Sequence, residues 1–352
     1  MLPKWVYQDC PQISAVHRDA AFVRQCELTK PAGALGRLEV LAIELAGLQH
    51  SDRPRADRVP IIIFAGDHGI AAQGVSAYPQ DVTIAMMANF AAGGAAISVL
   101  ARELGSSLEV VDAGTLAETP LPGIVTDKLR RGSRDFSEEA ALDAADLAVA
   151  FGCGSRAVAR AAASAPDILI LGEMGIGNTT SAAAIVAALL GKGAEAITGS
   201  GTGLDAAGRE RKAGVIAAAL VRHDLISSGA SPEQILCAVG GFEIAAICGA
   251  IIAAAQRRIP ILVDGFIVSV AALAAARLNP SCRPYLVFSH RSAEQGHRLV
   301  LDALDARPLL DLDLRLGEGS GSAIALPILR LACALHNGMA TFAEAAVPGR
   351  AG

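Results

Sequence analysis

The chain has 352 residues, 52% of them hydrophobic and only 18% charged, so it has ample material for a large buried core and is not a disordered chain. Its net charge of −5 argues against a nucleic-acid partner, because such proteins concentrate basic residues on one face. Seven scattered cysteines without a C-x-x-C pair fit a reduced cytoplasmic protein better than a disulfide framework.

The opening segment, MLPKWVYQDCPQ, lacks the apolar core of a signal peptide. Residues 13–50 carry helical periodicity, with Thr29-Lys30-Pro31 as an entry signal and Leu38, Leu41, Ile43, Leu45 and Leu48 as apolar content. From residue 61 onward, apolar runs end repeatedly in glycine, acid or histidine. Ile61–Phe64 leads to Gly66-Asp67-His68-Gly69, Val110-Val111 to Asp112-Ala113-Gly114, and Ile168–Leu171 to Gly172-Glu173. Ile261–Val263 then leads to Asp264-Gly265, and Leu286–Phe288 to Ser289-His290. Continuous apolar strands separated by helical segments predict a parallel sheet buried on both faces, with a ligand crevice at the carboxyl ends of its strands. The Asp67-His68 pair resembles a catalytic pair, but turn stabilisation is the first reading. His290 and His297 fit one helical face, but no third ligand accompanies them, so no metal is expected.

Two stretches call for a bland reading. The basic cluster from Lys128 to Arg134 is most simply a solvated loop. Ile235–Ala255 is apolar enough to suggest a membrane span, but Glu243 and Gly240-Gly241 interrupt it. A mid-membrane carboxylate is costly, so a buried helix entered from a glycine turn is expected, and no membrane. Residues 322–345 are again helical in pattern, without strand-like runs. A small helical domain from both chain ends, 1–50 with 305–352, is therefore expected beside an α/β domain over 51–304.

Two glycine-rich segments carry the chemistry. After Leu171 the chain reads Gly172-Glu173-Met174-Gly175-Ile176-Gly177-Asn178-Thr179-Thr180 and passes into an Ala-rich helical segment. Glycines let backbone approach a ligand, and N–H groups at a helix start favour phosphate. A carboxylate in that turn suits sugar hydroxyls, and no Gly-Lys-Ser/Thr closes a Walker A loop, so a phosphorylated sugar is the expected ligand. The second segment is Leu316-Gly317-Glu318-Gly319-Ser320-Gly321. Glu318 suits a general base in an apolar pocket, and equally an acid capping the helix that follows. Both readings stand on the local sequence.

Taken in order, TKPAGALGRLE at 29–39, FAGDHG at 64–69, GVSAYPQDVT at 74–83, GEMGIGNTT at 172–180, GTGLD at 201–205, SHRSAEQGH at 289–297 and LGEGSG at 316–321 resemble the nicotinate-nucleotide–dimethylbenzimidazole phosphoribosyltransferase family. NFAAGGAAISVLA at 89–101, GGFEIAAICGA at 240–250 and VDGF at 263–266 extend the match from residue 29 to the C-terminal end. The resemblance implies a Rossmann-like parallel sheet with helices on both faces, a homodimer, and transfer of 5-phosphoribosyl from nicotinate mononucleotide to a benzimidazole without a cofactor. It assigns proton abstraction to Glu318 and places Gly175, Gly177, Asn178 and Thr179 around the phosphoribosyl group, with Glu173 toward the ribose hydroxyls. Gly203, Lys212 and Ser289 are expected near phosphate or carboxylate, although a lone lysine is more often a surface charge. Ser76 and Tyr78 are expected beside the aromatic base. The chain departs from the family in PAGALG at 31–36, where relatives show PPGSLG, and in Ala85, where they often carry glutamine. The favoured base is thereby left open among dimethylbenzimidazole, other benzimidazoles, adenine and phenols. Two readings of other classes are a noncatalytic mononucleotide sensor, which would have no need of Glu318, and a small membrane carrier.

Overall fold

The computed structural model describes residues 1–201, 203–226 and 229–348. Its six strands are β1 (Ile61–Gly66), β2 (Leu108–Gly114), β3 (Val125–Thr126), β4 (Leu169–Met174), β5 (Ile261–Val263) and β6 (Leu286–Phe288). They form one sheet in the order β3-β2-β1-β4-β5-β6. Every pairing is parallel. The strand order reverses between β1 and β4, and there the loops leaving the two strands diverge and open a crevice.

The helices are α1 (Ala15–Glu27), α2 (Arg37–Gln49), α3 (Val82–Ala92), α4 (Ala96–Leu104), α5 (Ala144–Ala162), α6 (Asn178–Leu190) and α7 (Ala194–Ile197). They continue as α8 (Ala206–Arg222), α9 (Pro232–Val239), α10 (Phe242–Gln256), α11 (Phe266–Leu278), α12 (His297–Ala303) and α13 (Ser320–Gly338). Side chains alternate across a strand, so Ile62 and Phe64 meet the core under α5, α10 and α11, whereas Ile61, Ile63 and Ala65 meet the core under α2, α3 and α13. Both faces of β1 are thus apolar, which is why its sequence shows no alternation.

The apolar run at 235–255 is core. It divides into α9 and α10 at Gly240-Gly241, and α10 is buried along nearly its whole length. Glycine lets α5 lie directly on α10, since a Cβ on Gly154 would fall 1.9 Å from the carbonyl oxygen of Ala246. Another stretch, Val82–Leu104, is long and apolar enough to cross a membrane by length and composition. The chain breaks it at Gly93 (φ 84°) into α3 and α4, whose inner sides pack on the sheet.

The two chain ends touch each other. Arg24 of α1 donates to the carbonyl of His336 at 2.8 Å, and the Thr29 N–H donates to Ala340 at 3.0 Å. Yet α2 and α13 share one continuous core with the sheet, through Leu41, Leu45, Leu326 and Leu329 against Ile61 and Leu262.

Candidate active site

The junction of β4 and α6 is held by glycines on both sides. A Cβ on Gly175 would lie 2.3 Å from the carbonyl oxygen of Gly66, so the turn rests directly on the tip of β1. Behind it His68 shares a 2.6 Å hydrogen bond through Nε2 with Glu243 Oε1, and its Nδ1 lies 2.9 Å from Ser181 Oγ. These side chains are wholly buried, and together they tie β1, α6 and α10 beneath the turn. Asp67 accepts the Leu116 N–H at 2.8 Å. Neither Asp67 nor His68 lines the cavity, and Asp67 Oδ1 and Glu243 Oε2 are buried without a hydrogen-bond partner among the described residues.

The basic cluster is not a solvated loop. Lys128 folds inward onto Asp112 at 2.7 Å, and Arg130 grips buried Asp146 at 2.9 Å. Lys128 and Arg130 are thereby paired inside the protein, and neither lines the crevice.

That crevice is a cavity of about 710 Å³ at the carboxyl ends of β4, β5 and β6. Glu173, Gly175, Asn178 and Thr179 line it from the junction, and Glu318 and Arg315 from the loop before α13. Asp264 and His290 stand at the tips of β5 and β6, and Tyr78, Val82 and Met86 form an apolar wall. Six of the expected residues converge here: Glu173, Gly175, Asn178, Thr179, Tyr78 and Glu318. Lys212 stands just behind Thr179, donating to its Oγ1 at 2.6 Å, and is 1% exposed rather than a surface charge.

Other expected residues lie elsewhere. Ser289 is fully buried and donates its hydroxyl to the Val263 carbonyl at 2.7 Å, so it does not line the cavity. Gly177 caps α6 from behind with φ 96°, and Gly203 and Ser76 are outside the lining. Ala85 points to solvent, and its helix neighbours Val82 and Met86 take the wall instead. His290 and His297 form no joint site. His297 accepts the Ser292 N–H through Nδ1 at 2.8 Å and pairs with Ser269 Oγ through Nε2 at 3.0 Å, and burial pushes its pKa down to about 3. Sequence reasoning assigned no role to Asp264, His290 or Arg315. The first two sat at recognised strand tips, whereas Arg315 carried no signal beyond being the one base beside the Glu318 loop.

Glu318 sits in a left-handed turn, with φ 64° between Gly317 at 87° and Gly319 at 79°. The turn presses on β4 closely enough that a Cβ on Gly172 would fall 2.6 Å from the Glu318 carbonyl. Glu318 makes no side-chain cap to α13, whose N-cap is Gly319. Its Oε2 is buried without a hydrogen-bond partner among the described residues. Burial raises its pKa above the usual carboxylate range; the Ile97 N–H at the start of α4 opposes that rise, and Asp264 adds to it. The capping alternative is thus removed, and a desolvated carboxylate with a free oxygen remains, as a general base requires.

Glu173 behaves differently. Burial, against the opposing hydrogen bond from Asn178, drives its pKa up to about 8. At neutral pH it is a neutral acid, able to donate to a sugar hydroxyl without repelling an anionic phosphate. Its folded pKa lies above the unfolded value of 4.5, so the folded state holds the extra proton and stability falls as pH rises from 4.5 to about 8. Glu173→Gln is expected to flatten that decline, which a series of Tm measurements across the window checks.

Known proteins match the whole chain. Residues 10–347 fit a family model described as phosphoribosyltransferase. A protein of Bradyrhizobium diazoefficiens named nicotinate-nucleotide–dimethylbenzimidazole phosphoribosyltransferase is 77% identical over 350 residues, 99% of each chain. A protein of the same name from Pseudomonas putida strain W619 is 56% identical over 351 residues, again 99% of each. The crystal structure of the enzyme so named from Thermus thermophilus aligns with a TM-score of 0.90 at 41% identity, covering 96% of this chain and 100% of that one.

Proposed function

The chain belongs to the nicotinate-nucleotide–dimethylbenzimidazole phosphoribosyltransferase family, and from that premise we infer how its residues perform the transfer. The reaction moves 5-phosphoribosyl from nicotinate mononucleotide to 5,6-dimethylbenzimidazole, giving α-ribazole 5′-phosphate and nicotinate for the nucleotide loop of cobalamin. One benzimidazole nitrogen forms a bond to the anomeric carbon as the pyridinium nitrogen leaves with the electron pair of the old bond. The other nitrogen gives up its proton. The observation that carries the assignment is the unpartnered, desolvated oxygen of Glu318 in the cavity wall, which takes that proton.

The apolar wall of Tyr78, Val82 and Met86 receives the base, and the Gly175–Thr179 turn faces the ribosyl phosphate. Neutral Glu173 donates to a ribose hydroxyl, and Arg315 with Lys212 supplies positive charge toward the phosphate or nicotinate carboxylate. Burial lowers the Lys212 pKa to about 8, with Glu294 opposing. A bell-shaped pH profile of kcat/KM is therefore expected. Its acid limb reports ionisation of Glu318, and its alkaline limb falls near pH 8, where Glu173 loses its proton and Lys212 its charge. A profile still flat above pH 9 would remove both groups from the reaction. The assignment of the base is tested by chromatography of purified protein incubated with both substrates: wild type forms α-ribazole 5′-phosphate, and Glu318→Ala nearly none.

The chain is read further as a cytoplasmic homodimer, with 1–50 and 305–352 forming a helical unit docked on the 51–304 α/β unit. The free state of the seven cysteines supports the compartment, and the packing of α1, α2 and α13 supports the helical unit. Exposed Val16, Phe22 and Val23 on α1 support a partner surface. Light scattering during gel filtration should give twice the 35.9 kDa chain mass.

A further inference from the structure

A second concavity, about 580 Å³ in volume, lies at the amino ends of the strands, on the opposite edge of the sheet from the catalytic cavity. It is built by the three segments that lead into β1, β4 and β5, and five arginines line it: Arg53, Arg55, Arg58, Arg257 and Arg258. The single acid in the lining is Asp167, and it is already engaged. Its Oδ2 accepts the N–H groups of Asp57 and Arg58 at 3.0 and 2.8 Å, and its Oδ1 accepts Arg58 Nη2 at 3.2 Å. The nearby carboxylate of Asp52 is bound to His17 at 2.7 Å. Arg53, Arg55, Arg257 and Arg258 make no ion pair among the described residues, and all four are exposed. The floor is apolar, formed by Ala162, Pro166 and Ile259.

Helix ends could account for some of this charge. The C-termini of α2 and α5, at Gln49 and Ala162, line the concavity, α10 ends next to it, one residue before Arg257, and each helix end contributes roughly half a negative charge. Arg257 does donate to the α10 carbonyl of Ala253 at 3.0 Å. Together with Asp167, however, those ends offset only about half of five guanidinium groups, leaving a surplus of roughly two to three positive charges. Two of the loops also hold a non-glycine residue in the left-handed region, Ala165 at φ 47° and Arg258 at 59°. In a chain of net charge −5, a concentrated and unneutralised fork-shaped donor set around a hollow of ligand size matches an anion in chemistry and in charge.

We propose that this basic hollow is a binding site, separate from the catalytic cavity, for a small phosphate-bearing anion of two to three charges. Nothing in it touches the reacting groups, so occupancy there leaves the transfer chemistry intact. The probe is inorganic pyrophosphate, titrated calorimetrically into the full chain at low and at high salt. The expected result is one saturable equivalent whose affinity falls as salt rises, because the contacts are exposed charge pairs. Arg55→Gln/Arg258→Gln is expected to weaken binding about tenfold or more, with formation of α-ribazole 5′-phosphate unchanged. Pyrophosphate also has a cationic partner in the catalytic cavity, so Arg315→Gln is titrated in parallel and is expected to retain the binding. Absence of saturable heat would overturn the proposal. So would undiminished affinity in the double variant, which would mean these arginines do not hold the anion, or binding lost in Arg315→Gln, which would place it in the catalytic cavity.

Discussion

Replacing Glu318 with glutamine is expected to lower kcat by about 10²–10⁴-fold, with binding of nicotinate mononucleotide nearly unchanged. Glutamine keeps the size of the side chain and can still accept the Ile97 N–H, so the turn before α13 keeps its form. What it loses is a basic oxygen, and the benzimidazole proton then has no acceptor. Pyridinium is a good leaving group without assistance, so the deficit is that of the missing proton transfer and not of the whole reaction. A variant that lost stability instead, with kcat intact, would mean that Glu318 serves only the turn. Steady-state kinetics and a melting curve on the same preparation distinguish the two.

Gly172→Ala should act on the same group from behind. The added Cβ falls 2.6 Å from the carbonyl carbon and oxygen of Glu318 and 2.8 Å from the Gly319 nitrogen, and all of these are backbone atoms that cannot rotate away. Relief to ordinary contact needs a displacement approaching 1 Å, and a shift of that size in a catalytic group costs about 10²-fold in rate. Overpacking of this kind typically destabilises by about 1–3 kcal/mol, so Tm falls as well. Gly214→Ala on α8 is the matched control, because a Cβ there meets nothing within 4 Å. It is expected to leave kcat unchanged and to raise Tm slightly, since alanine favours helix. Equal rates for Gly172→Ala and wild type would mean that the turn position does not govern catalysis.

The architecture was legible because buried parallel strands announce themselves as unbroken apolar runs ending in polar tips, and five such runs in this chain became β1, β2, β4, β5 and β6. Glu318 and the Gly172–Thr180 turn were legible for a related reason: glycines cluster where backbone must approach something closely. Which tips face the ligand was not legible. That depends on strand order and on partners distant in sequence, and nothing near His68 announces Glu243, 175 residues away. The same holds for Lys128, which finds Asp112 only once β2 is in place. Lys212 was misleading for a local reason. It lies in the charged segment Arg209-Glu210-Arg211-Lys212, and only the packing of α8 on α6 turns it inward to Thr179. The neutrality of Glu173 at pH 7 is likewise a product of burial, which no motif displays.

In the proposed mechanism one cavity holds nicotinate mononucleotide and releases nicotinate only by handing the ribosyl phosphate to a base aligned with Glu318. The most direct test follows nicotinate and α-ribazole 5′-phosphate over time in one reaction, with dimethylbenzimidazole present and with it omitted. Equal amounts of the two products are expected when the base is present, and no nicotinate when it is absent. Nicotinate released without base would make water the acceptor and overturn this mechanism, as would mononucleotide bound at saturation with no product formed.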